Sequence, residues 1–113
     1  MSRSERKYIN LLTDTDRVYN RQVTNGHAVL EFSVQYMALI NSRWRKITRF
    51  DNARNHGPHR HVFYPRGSQY KYPMNTQDPN QALTEAQMTI KKNFRQMRES
   101  YTMVLNRRGG GES

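Results

Sequence analysis

Hydrophobic and polar residues alternate between Ala28 and Ile40, with Leu30, Phe32, Val34, Tyr36 and Ala38 on one side and Glu31, Ser33 and Gln35 on the other. That period of two is the mark of a half-buried strand. Asn25-Gly26 just before it suits a tight primed turn, because both residues tolerate positive φ. Residues around Arg17–Val23 are therefore expected to pair with the central strand. Asn41-Ser42-Arg43 makes a second turn, and Trp44–Phe50 returns with Trp44, Lys46, Thr48 and Phe50 facing away from Arg45, Ile47, Arg49 and Asp51. On this alternation Arg43 and Arg45 belong to a solvated outer face, whereas Arg49 shares its side with Asp51. His56-Gly57-Pro58 breaks regular structure. Beyond it, His61–Tyr64 and Gln69–Tyr72 read as two short strands around the turn Pro65–Ser68.

The period then changes. Asp78-Pro79 combines a capping side chain with a residue suited to the first helical position. Leu83, Ala86, Ile90, Phe94, Met97, Tyr101 and Val104 follow at steps of three and four, a helix with one buried stripe running to about Asn106. Such a helix is ~40 Å long, more than a compact domain of this size needs, so its end is expected to project. The predicted fold is α+β: a small antiparallel sheet of about four or five strands backed by a long C-terminal helix. Residues 1–106 form the single domain. The arm before Thr13 stays undefined among a helical turn, an edge strand and a docked arm, and residues 107–113 read as a flexible tail.

A chain of 113 residues holds one core. Only 35% of it is hydrophobic, but four Phe, seven Tyr and one Trp make that core aromatic. A homodimer or another bound partner would complete the burial of so small a domain. Nineteen Lys/Arg against nine Asp/Glu give a net charge of +10, which attracts polyanions. RNA is the leading ligand class and an acidic protein the second. Cysteine is absent, so disulfides and thiolate zinc sites are excluded. No stretch approaches the ~20 apolar residues that span a bilayer. The basic residues after Met1 lead into no hydrophobic signal region, so no membrane association and a cytoplasmic location are expected.

The chemistry is concentrated between Arg49 and His61, which hold His56, His59 and His61 with Arg49, Arg54 and Arg60. Histidine exchanges protons near neutrality, and arginine offers a planar fork of donors to phosphate. Metal-independent RNA cleavage needs a base for the 2′-OH proton, an acid for the leaving 5′-oxygen and cations for the phosphorane. His59 and His61, two apart on a strand, project to one side and are the expected proton-transfer pair. Arg49 and Arg60 would hold the phosphate, and Asp51 would orient a histidine. Asn52 would close the loop or contact a base, and Tyr70-Lys71-Tyr72 would stack bases and touch the backbone.

The order R-F-D-N, a short turn and H-R-H resembles the TumE-like toxins of prokaryotic toxin–antitoxin systems, small proteins toxic unless partnered by a co-expressed antitoxin. Arg49, Asp51, Asn52, Gly57, His59, Arg60 and His61 carry the resemblance. Arg54 stands where relatives would have another histidine. The resemblance covers the middle and C-terminal parts of the chain and implies a toxin-like ribonuclease controlled by an antitoxin. A metal site from His56, His59, His61 and Asp51 is the rival chemistry, but H-x-x-H-x-H matches no rigid helical ligand pattern, so no metal or cofactor is expected. The rival function is a basic RNA- or DNA-binding module without catalysis, or a subunit of a ribonucleoprotein complex.

Overall fold

The computed structural model describes residues 2–52 and 57–111. Six strands follow one another in sequence order across a single antiparallel sheet: β1 (Arg3–Thr13), β2 (Asp16–Asn25), β3 (Ala28–Ile40), β4 (Arg43–Asp51), β5 (His59–Phe63) and β6 (Gln69–Pro73). One helix, α1 (Pro79–Gly111), follows them and packs on one side of the sheet.

The sheet has six strands rather than four or five because the arm before Thr13 is β1. Its residues bury almost nothing, as expected of an edge strand, and Ile9 and Leu11 are exposed. Hydrophobic pattern therefore could not reveal it. The turn Thr13–Asp16 does the work: the Thr13 hydroxyl accepts from Thr15 N at 3.1 Å and donates to the Asp16 carboxylate. Asp16 is wholly buried, accepts the Tyr36 hydroxyl at 2.5 Å and lies 3.3 Å from the Arg98 guanidinium on α1. Burial, reinforced by that carboxylate, holds the Tyr36 phenol protonated.

Phe32, Val34, Tyr36, Ala38 and Ile40 from β3 meet Ala82, Leu83, Ala86, Ile90 and Phe94 from α1, so the core is one layer between sheet and helix. Met97, Tyr101 and Leu105 extend the stripe, partly buried. Asp78 caps α1 by accepting from Asn80 N at 3.0 Å. The Asn80 side chain pins that end to the β2–β3 turn, accepting from Val29 N and donating to His27 O, each at 3.0 Å. Residues 107–111 are part of the 33-residue helix, not a structureless tail.

One bulge determines which side chains share the free side of the sheet. Tyr36 pairs with Thr48 and Met37 with Lys46, leaving Ile47 as an extra residue in β4. Strict alternation along 44–51 thus breaks: Ile47 and Thr48 are both buried, and Lys46 and Trp44 join the side of Arg49 and Asp51. Arg43 and Arg45 move to the helix side, where Arg45 Nε donates to Ile40 O at 3.1 Å.

The β3–β4 turn places both Asn41 (φ 53°) and Ser42 (φ 64°) in the left-handed region, the pairing of a primed hairpin turn. Serine there is strained by about 1 kcal/mol relative to glycine. Ser42→Gly is expected to raise the urea midpoint by a corresponding amount; an unchanged or lowered midpoint would show that Ser42 is not strained.

Candidate functional site at the open end of the sheet

Directly paired residues of antiparallel strands project to the same side. Two neighbouring rows therefore cross all six strands on the side away from α1. One runs Lys7, Arg21, Ser33, Asp51, His59, Pro73, and the next Ile9, Tyr19, Gln35, Arg49, His61, Lys71. At β4 and β5 the rows make a two-by-two block of Asp51, His59, Arg49 and His61. The sequence period puts His59 with His61 and Arg49 with Asp51, and the β4–β5 register sets the two pairs against each other.

Asp51 is the centre of the block. Arg49 Nε donates to its Oδ2 at 2.9 Å, His59 Nε2 lies 2.9 Å from Oδ1, and His61 Nε2 lies 3.4 Å from Oδ2. The other nitrogen of each ring faces a carbonyl: His59 Nδ1 is 3.0 Å from Gly57 O, and His61 Nδ1 is 2.9 Å from Gln69 Oε1. Gly57 is at φ +67°, a conformation that favours glycine, where the backbone turns to present its carbonyl to His59; a Cβ there would also displace the Gln77 side chain, whose Oε1 would stand 2.8 Å away. Pro58 O accepts from Met74 N at 3.0 Å, fixing the entry to β5.

His59 is 3% exposed and His61 8%. Burial, aided by the nearby Arg49 and His59, pushes His61 below its usual range, while Gln69 and Asp51 pull the other way. Phe63 stacks parallel to His61 with ring centres 6.1 Å apart, and both Lys46 and Arg49 reach over the Phe63 ring.

Two shallow concavities, of about 520 and 660 Å³, meet along Arg21, Ser33 and Arg49. Together they run from Lys7, Ile9 and Tyr19 to Asp51, Asn52 and Gly57. Arg21 is partly neutralised there by Glu5 at 2.6 Å and Glu31 at 3.3 Å.

Several expected site residues lie elsewhere. Arg60 is on the helix side, where its Nε donates to Thr48 Oγ1 at 3.0 Å and its guanidinium covers Phe50, so it is not brought to Arg49 and the histidines. Tyr70 and Tyr72 flank it on that side, 63% and 37% exposed, while Lys71 between them shares the row of His61. Asn52 closes the loop: its Oδ1 accepts from Phe32 N at 2.8 Å and its Nδ2 donates to Leu30 O at 2.9 Å. Arg54 and His56 lie outside the described residues. The sequence reading missed Gln69, whose role depends on β5–β6 register, and Lys46, which the bulge at Ile47 redirects.

Residues 1–107 match the family described as a domain of unknown function, DUF7718. The chain belongs to that family. No curated protein and no solved structure matches it. The match links this DUF7718 protein to no toxin family and attaches no activity to its Asp51–His59–His61 block. No helix among the described residues is long and apolar enough to cross a membrane.

Proposed function

We propose that this DUF7718 protein binds RNA along the open side of its sheet and cleaves it beside His61, as a toxin-like ribonuclease restrained by an acidic antitoxin. The toxin part of the reading rests on the resemblance of the Arg49–His61 motif. The RNA part is supported by one observation above all: the side of the sheet that α1 leaves uncovered carries Lys7, Arg21, Lys46, Arg49 and Lys71 and ends in a histidine–carboxylate block. Tyr19 and Trp44 lie on the same side and offer aromatic surfaces to unstacked bases.

The block divides the labour unevenly. His59 has both ring nitrogens engaged, by Gly57 O and Asp51, and acts as a positioning residue. His61 lies between Arg49 and Lys71 in its row, so a phosphate bound by those two cations sits beside its ring. There it takes the 2′-OH proton, the 2′-oxygen bonds to phosphorus as the P–O5′ bond breaks, and the departing 5′-oxygen takes a proton from water. The cations meet the charge that develops on the phosphorane.

Incubation with total RNA, with and without EDTA, tests the reading. Cleavage that survives EDTA and leaves 2′,3′-cyclic phosphate ends is the expected result. RNA binding without any change in the RNA would favour a binding module in which the block only stabilises the β4–β5 connection, a reading that the burial of both histidines supports. Binding itself should weaken with salt as phosphate counterions are released. Arg49→Ala is expected to reduce affinity more than Arg3→Ala does and to lower the log–log salt slope by about 0.7, one single-strand phosphate contact. Equal losses at the two positions would reduce the surface to diffuse charge.

A further inference from the structure

We infer that Asp51, His59 and His61 form a binding site for one divalent transition-metal ion, with zinc the best match. Their candidate ligand atoms all lie within 4.8 Å of one another. The orientation of the rings is the second, independent observation. A carbonyl oxygen only accepts, so the Nδ1 atoms facing Gly57 O and Gln69 Oε1 are the N–H nitrogens, and in a neutral ring the lone pair is on Nε2. Both Nε2 atoms face Asp51. Metal-ligating histidines characteristically donate their other N–H to a carbonyl or carboxylate, which fixes tautomer and ring angle. Here two rings do so at once, toward a shared carboxylate.

Without a cation, each of those lone pairs points at a carboxylate oxygen, and each contact needs a proton to be attractive. A dication satisfies all three groups with none. Tetrahedral zinc with bonds of 2.0–2.1 Å separates its ligand atoms by about 3.3 Å. The 3.4 Å between His61 Nε2 and Asp51 Oδ2 already fits, and the 2.9 Å between His59 Nε2 and Oδ1 needs a small widening, so a small rotation of the carboxylate brings one oxygen to both rings. Two imidazoles and one carboxylate favour zinc, iron, nickel or manganese over calcium or magnesium, which prefer all-oxygen shells. Three protein ligands leave a coordination position for water or a phosphate oxygen, reached through the 520 Å³ concavity that Asp51 lines.

The site stands whether or not the protein acts on RNA. Where both hold, zinc takes the Nε2 electron pair with which His61 would accept a proton, so metal loading switches off EDTA-resistant cleavage.

Calorimetric titration of untagged, chelator-stripped protein with zinc chloride, in the absence of RNA, tests the inference. One zinc per chain, with a raised melting temperature and a matching cobalt(II) spectrum, is the expected result. Gln69→Ala, which removes only the partner of His61 Nδ1, is expected to weaken zinc by about 10–100-fold. His27→Ala, remote from the block, should leave affinity unchanged. Absence of saturable binding to the folded wild-type protein would overturn the inference, as would equal affinity in folded Asp51→Asn and His61→Ala variants. RNA cleavage by a protein that binds no zinc would sink the metal site alone, and zinc binding by a protein whose chelator-stripped form leaves RNA intact would sink the cleavage reading alone.

Discussion

His61→Ala is expected to slow RNA cleavage by about 10²–10⁴-fold, the usual contribution of a positioned acid–base group. Melting temperature should fall only modestly, because the ring gives up its stack on Phe63, one contact to Gln69 and a long one to Asp51. Much of the RNA affinity should also persist, since Arg49 and Lys71 remain. His59→Ala is the instructive contrast. That ring is the more deeply buried and bridges Gly57 O and Asp51, so its loss should cost about 1–3 kcal/mol of stability in addition to activity. Single-turnover cleavage alongside urea melts separates the two. A folded His61→Ala protein that cuts RNA at the wild-type rate would remove His61 from the chemistry.

Phe94→Ala should destabilise the fold by about 3–5 kcal/mol, the cost of truncating a buried aromatic. Phe94 is 5% exposed, its ring meets Tyr36 edge-on at 6.0 Å, and its carbonyl lies 3.3 Å from the Tyr36 hydroxyl. The cavity would open beside the Asp16–Tyr36–Arg98 network that ties the β1–β2 turn to α1. Small domains have about 5–15 kcal/mol in all, so the loss takes a large share of the total. Met88→Ala, on the exposed side of the same helix, should stay within about 0.5 kcal/mol. A normal urea midpoint for Phe94→Ala would show that the stripe does not carry the core.

The helix and the central hairpins were legible because their signals are local and repeated. Phe32, Val34 and Tyr36 alternate, and Leu83, Ala86, Ile90 and Phe94 recur at helical spacing. The edge strand was illegible for the opposite reason. Arg3 to Lys7 bury nothing, and β1 is held through backbone pairing with β2 and the Thr13–Asp16 turn. Half of the candidate site could be read from spacing of two, since Arg49 with Asp51 and His59 with His61 need only a strand. Their meeting depends on β4–β5 register, which no local pattern encodes. Arg60 shows the limit of reading a motif as a unit: between the two histidines in sequence, it points through the sheet to Thr48 and Phe50.

The order of the strands has a consequence for how the chain comes into being. Every strand pairs only with its neighbours in sequence, so each hairpin can close as soon as it leaves the ribosome, with short loops and little entropy to overcome. The cover for their greasy underside comes last, in α1. Until α1 emerges, Val34, Tyr36 and Phe50 are presented to water on a ready-made sheet with open edges, the condition in which nascent chains stick to one another. A pause in translation before Pro79 would therefore be the most hazardous moment in this protein's life, and chaperone demand should peak there.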